Sequence, residues 1–223
     1  MDFADKMIDF YSSLNLKLKK SKDIDVLNPF TEKAVLRACT WYHKKYCQGD
    51  NKRIFLFGIN PGRFGAGVTG IPFTDPIQMS ELGFENDWKQ RFELSAIYID
   101  ELINAYGSRK LFFQDFYISS VCPLGFVKYG KNINYYDETT LIEDTRKFII
   151  RTIKDQISIG ARTDVCFSLG KGKNYKYLVK LNQEKGFFDK VVALPHPRWV
   201  MQYKRKEKNK HVDQTLALLG NHK

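Results

Sequence analysis

Two side chains in this sequence combine the right chemistry with a rigid mount: Asn60 and His196. Asn60 lies in a glycine-rich loop, GINPGRFGAGVTGIPF, over residues 58–73. Its amide has one donor and one acceptor group, enough to orient a water molecule or contact a sugar. The glycines let the backbone approach a ligand closely, Pro61 and Pro72 stiffen the path, and Phe73 offers a flat apolar face on which a ring can stack. The same residues also suit an ordinary turn, with Asn60 bonding its own backbone and Phe73 in the core. His196 stands between Pro195 and Pro197, which fix the local backbone. From there it can donate a hydrogen bond to a developing anion, or serve as a satisfied structural histidine. His43, His211 and His222 read as surface residues.

Charge narrows the partner. The 223 residues carry 36 Lys plus Arg against 25 Asp plus Glu, a net charge of +11 that favours a polyanion, because cations gain binding energy by displacing counterions from phosphates. The charge concentrates after His196, where residues 198–210 read RWVMQYKRKEKNK. Arg198, Lys204 and Arg205 would grip phosphates there, and Trp199, Val200 and Met201 offer an apolar wedge for a base stack; a solvated helix start is the plainer reading. Lys171 and Lys173, in GKGKN over residues 170–174, could hold one phosphate at a helix start or lie on a solvated turn. The loop at 58–73 lacks both the Walker pattern and the dinucleotide fingerprint. Cys39, Cys47, Cys122 and Cys166 form no Cys-x-x-Cys pair, so they read as buried, reduced thiols, and neither metal nor cofactor is expected.

Positioning these residues requires a sheet. Arg53–Gly58 is a short, nearly continuous apolar run, the pattern of a strand buried on both faces, and runs at 112–121, 164–169 and 190–194 resemble it. Helical spacing is expected at 3–18, from about Pro29 with Thr31 as cap, and at 92–106, 138–158, 174–184 and 208–219. Strands alternating with helices predict an α/β fold: a three-layer α/β/α sandwich around a mainly parallel sheet of about four strands. The expectation is one domain over 1–223, with N-terminal helices at 1–50, a motif-bearing core at 52–203 and a basic C-terminal segment and helix at 204–223. Ligands of such sheets bind beyond the carboxyl ends of the strands, so the loops carrying Asn60, Ser120, Lys171 and His196 should converge. No apolar run is long enough to cross a membrane and no signal peptide is recognised, so a cytoplasmic protein is expected.

Together these segments resemble the uracil-DNA glycosylase superfamily, specifically its single-strand-selective monofunctional (SMUG-type) branch. GINPGRFGAGVTGIPF is similar to that branch's first motif, CPLGF at residues 122–126 to its middle motif, and His196-Pro197 to its last. The resemblance implies that Asn60 positions the hydrolytic water, Gly62 offers a backbone amide to the base, Phe73 stacks on uracil and His196 stabilises charge on uracil O2. The expected substrate-binding residues are Ile59, Gly62, Phe73 and Ser120, and the expected DNA-binding residues, read from charge and aromatic pattern, are Lys171, Lys173, Arg198, Trp199, Met201, Lys204 and Arg205. The implied reaction is metal-free hydrolysis of uracil from single- or double-stranded DNA by a monomer, leaving an abasic site. Two departures stand out. Ser120 replaces an Asn that reads the base edge, and the Ser-Pro expected after His196-Pro197 is replaced by Arg198 and Trp199. They leave open another damaged base, such as xanthine, hypoxanthine or an oxidised pyrimidine, and a non-catalytic DNA binder. An α/β enzyme acting on a small phosphorylated molecule is the third possibility.

Overall fold

The computed structural model describes residues 1–223. Its centre is a four-stranded, all-parallel sheet of β2 (Arg53–Gly58), β3 (Phe116–Ser120), β6 (Ala161–Leu169) and β7 (Lys190–Leu194), in the order β3-β2-β6-β7. Every residue of β2 is buried: Ile54–Phe57 as an apolar run of a central parallel strand requires, and Arg53 because its guanidinium donates to the backbone carbonyls of Phe113, Asn51, Cys47 and Gln48. From β2 the chain crosses to β3 on one side, and from β6 it crosses to β7 on the other, so the loops leaving these neighbouring strands diverge and open a crevice.

Two helical groups flank the sheet. α1 (Phe3–Ser12) packs on α2 (Lys33–Tyr46) and α7 (Thr139–Ile159). α5 (Leu94–Ala105) packs on α9 (Pro197–Tyr203) and α10 (Lys208–Gly220), while α8 (Lys173–Lys185) lies on β6 and β7. One buried apolar cluster runs from Phe3 to Leu219, so the terminal helices share the core of the motif-bearing strands. No helix is long and apolar enough to cross a membrane.

Three boundaries differ from the sequence reading. α1 stops at Ser12, because the Ser12 and Ser13 hydroxyls donate back to the carbonyls of Asp9 and Phe10 at 2.9 and 2.8 Å and close the helix. Thr31 ends a 3-10 turn (Pro29–Thr31) that Asn28 caps, its Oδ1 accepting the Phe30 amide at 3.1 Å, and α2 starts only at Lys33, after Glu32, with no side-chain cap. The run at 112–121 is half helix: Ser108 Oγ accepts the Leu111 amide at 3.2 Å and starts α6 (Arg109–Asp115), so the strand begins only at Phe116.

A second, antiparallel sheet joins β1 (Asp25–Leu27), β4 (Gly125–Lys128) and β5 (Lys131–Ile133) in the order β1-β4-β5. Tyr129 and Gly130, both at positive φ (48° and 71°), make the two-residue turn between β4 and β5. Gly125 packs so tightly that a Cβ would lie 2.4 Å from the carbonyl of Pro61, which ties the CPLGF segment to the Asn60 loop.

Candidate active site

Asn60 follows β2 directly, and the small sheet holds its side chain. Oδ1 accepts the Tyr135 amide at 3.1 Å, while Nδ2 donates to the carbonyls of Ile133 at 3.3 Å and Pro61 at 3.4 Å. The amide therefore has a fixed sense, and Oδ1 keeps one lone pair for another partner. Tyr135 is itself anchored: its hydroxyl donates to Asn174 Oδ1 at 2.8 Å, and Asn174 Nδ2 donates to the Gly58 carbonyl at 3.3 Å. This chain of bonds fastens the start of α8 and the end of β5 to the end of β2.

His196 caps α9. Its Nδ1 accepts the Arg198 amide at 3.1 Å, so Nδ1 holds a lone pair and the proton sits on Nε2. Burial, with a smaller contribution from the Arg198 charge, pushes its pKa down to about 4, so the ring is neutral at pH 7 and presents one N–H.

Ile59, Asn60, Gly62, Phe73, Ser120 and His196 line one cavity of about 290 Å³. Phe73 has φ 52°, a left-handed backbone that a bulky side chain adopts at a cost on the order of 1 kcal/mol or more. Strain of this kind survives where surrounding structure imposes it, and here it sets an aromatic ring in the cavity wall. Arg198, Glu93 and Asn132 are among the other residues that line it. A neighbouring cavity of about 440 Å³ shares Ile59 and His196 and adds Lys171, Lys173, Trp199 and His211. The structure thus gathers Lys171, Lys173, Arg198 and Trp199 around His196, whereas Arg205 is exposed outside both cavities and Lys204 pairs with Glu207 at 3.1 Å.

Two expectations are corrected. Met201 lies in the core with 3% exposure, beside the buried Val200, because Pro197, Val200 and Met201 form the inner stripe of α9; neither is a wedge in this conformation, and Trp199, 43% exposed, is the side chain that projects. His43 is a core residue. Its Nδ1–H donates to the Cys39 carbonyl at 2.7 Å, the Tyr117 hydroxyl donates to its Nε2 at 2.7 Å, and burial pushes its pKa down to about 4. His211 and His222 are half-buried, the former edge-on to Trp199 with ring centroids 5.8 Å apart.

Sequence reasoning missed Glu93, the sole carboxylate lining the 290 Å³ cavity. Burial, reinforced by the nearby Asp75 charge, raises its pKa, while Arg198 and Arg91 partly oppose that shift. Nothing in its local sequence, QRFELS, marks it; only the fold brings it to Asn60.

A family model described as the uracil DNA glycosylase superfamily matches residues 44–220. A solved structure, that of wild-type Pedobacter heparinus SMUG2, superposes with a TM-score of 0.95 at 41% sequence identity, covering 99% of this chain and 98% of that one. A search of curated proteins finds no match. A family model spanning most of the chain, joined by a likeness over nearly its full length, settles the assignment: this chain belongs to the uracil DNA glycosylase superfamily, as a SMUG-type member.

Proposed function

We propose that this DNA glycosylase hydrolyses the N-glycosidic bond of uracil in DNA and leaves an abasic site, with water as the nucleophile. The convergence of Asn60, Phe73 and His196 on one cavity carries this reading. A base cannot be reached inside a duplex, so the target enters flipped out or already unpaired, at a cost of about a few kcal/mol. Phe73 stacks on it, Gly62 offers backbone contact and Ile59 walls the cavity. The free lone pair of Asn60 Oδ1 orients a water molecule towards C1′. As the C1′–N1 bond breaks, negative charge spreads onto the base, and the Nε2–H of His196 donates to its O2. A neutral donor fixed in place needs no reorganisation, and a pKa near 4 keeps it neutral throughout the working range.

That no lysine lines the base cavity supports a monofunctional reaction without a Schiff base. Lys171, Lys173, Arg198, Lys204 and Arg205 hold phosphates, and Trp199 enters the gap left by the flipped nucleotide. We take the protein to act as a monomer in the cytoplasm. Ser120 favours a second reading. A hydroxyl in place of an amide offers fewer fixed contacts to the base edge, which widens the range towards xanthine, hypoxanthine or an oxidised pyrimidine. Competition among modified bases separates the two.

The test uses end-labelled oligonucleotides with one central uracil, in EDTA, with alkali added afterwards. Scission that requires alkali and drops strongly in Asn60→Ala is the expected result. Binding without scission would move the assignment to another lesion or to a non-catalytic binder.

A further inference from the structure

A third cavity, about 340 Å³, opens beside the base cavity and shares Glu93, Ser95, Asn132 and Arg198 with it. Arg63, Phe64, Arg91, Phe92 and Lys131 form the rest of its wall that matters here. It holds four cations, Arg63, Arg91, Lys131 and Arg198, and one carboxylate, Glu93. None of the four cations takes part in an ion pair, as holds for most of the chain's 36 Lys and Arg; what sets these four apart is that they line one groove together. Glu93 faces Arg91 and Arg198 and offsets at most one of the four charges, so the groove keeps a net positive charge that suits a polyanion.

The aromatic residues are equally specific. Two guanidiniums lie over the Phe64 ring, with Arg91 Cζ at 3.6 Å and Arg63 Cζ at 4.5 Å from its centroid. Stacking on one ring restrains both cations at the groove wall while leaving their N–H groups free to donate. Phe92 is 64% exposed, an aromatic ring facing solvent among cations. Surplus cations interleaved with an exposed ring suit a nucleic-acid strand whose bases are unstacked and can lie on that ring.

We propose that this groove binds single-stranded DNA: the nucleotides on one side of the flipped base run through it, their phosphates on Arg63, Arg91 and Lys131 and one base stacked on Phe92. The proposal rests on the DNA glycosylase reading, since the groove leads into the base cavity. It adds a second tract to the one around Lys171 and Trp199, on the other side of His196. A duplex offers no free base face to Phe92, so the groove favours single strands.

The test separates groove from lesion by measuring binding without catalysis. Phe92→Ala, Arg91→Gln and Lys131→Gln are compared with wild type and with Lys17→Gln, an exposed charge outside these cavities. The probe is a fluorescent single-stranded oligonucleotide carrying a stable abasic analogue. Phe92→Ala should raise Kd about 5- to 100-fold on the single strand and much less on the duplex. Arg91→Gln and Lys131→Gln should each lower the log Kd–log salt slope by about 0.7 on the single strand, and Lys17→Gln should change neither. Unchanged Kd and slope in all three groove variants, or equal losses on single strand and duplex, would overturn the proposal. A wild type that binds as described yet cleaves no uracil would leave the groove standing and remove the uracil reading.

Discussion

His43 and His196 are the same residue under nearly the same electrostatic conditions. Both are depressed to about 4 chiefly by burial, and both are neutral at pH 7. They differ in what is left over. His43 uses both ring nitrogens inside the fold, donating to the Cys39 carbonyl and accepting from Tyr117, whose hydroxyl also accepts from Tyr11 at 3.1 Å. His196 commits only Nδ1, to the Arg198 amide, and lines two cavities with the rest of its ring. A perturbed pKa therefore does not distinguish a core histidine from a working one; an uncommitted N–H beside a cavity does.

The largest effects should fall on the uncommitted groups. His196→Ala should lower kcat about 10²- to 10⁴-fold on uracil-containing single strands, while its melting temperature falls only about 2–4 °C, the cost of a lost helix cap. His43→Gln should do the reverse, keeping kcat within about threefold while costing about 1–3 kcal/mol in urea denaturation, because Tyr117 loses its buried partner. A loss of activity in His43→Gln matching that of His196→Ala would break the comparison. Asn60→Ala, which removes the other uncommitted group, the free lone pair of Oδ1, should lower kcat about 10²-fold or more.

The pH dependence sharpens the contrast. A histidine held below its ordinary value near 6.5 contributes stability that is complete above that value and lost as pH falls towards about 4. The melting temperature should accordingly fall between pH 6.5 and 4, and kcat/KM should show no acid limb near 6.5. A limb there would mean that His196 titrates normally. At the rim, Trp199→Ala should reduce duplex cleavage several-fold more than single-strand cleavage, and equal losses would remove it as the wedge. The smallest effect concerns Glu93. Its raised pKa means that stability present in acid is lost as pH rises through the folded-state value. Glu93→Gln should therefore melt about 1–3 °C higher at pH 7–8, and a lower melting point there would show that the carboxylate has a stabilising partner.

Much of this frame was legible in the sequence. The apolar run at Arg53–Gly58 is a central strand, and the loops carrying Asn60, Phe73 and His196 meet as strand ends of a parallel sheet should. His43 was legible too, since it lies four residues after Cys39 on the stripe of Val35, Ala38, Cys39 and Tyr42, but the adjacent Lys44 and Lys45 hid it. Pro197, Val200 and Met201 likewise share one helical face, which left Trp199 outside. The small sheet was illegible because β1 and β5 have three residues each and β4 four, too few to show a period, yet its end fixes the Asn60 amide. Arg63, the Arg91–Glu93 segment and Lys131 lie far apart in sequence and acquire meaning only when the fold sets them side by side.

The most direct test of the central claim is a ¹H–¹⁵N correlation of the histidine ring nitrogens in the free protein from pH 7.5 to 5, assigned with His43→Gln and His196→Ala. Two neutral rings of opposite tautomer are expected, Nδ1–H at His43 and Nε2–H at His196, neither titrating in that range. An imidazolium at His196 above pH 6, or an Nδ1–H tautomer there, would contradict the claim, because the donor that faces the base would then be charged or absent.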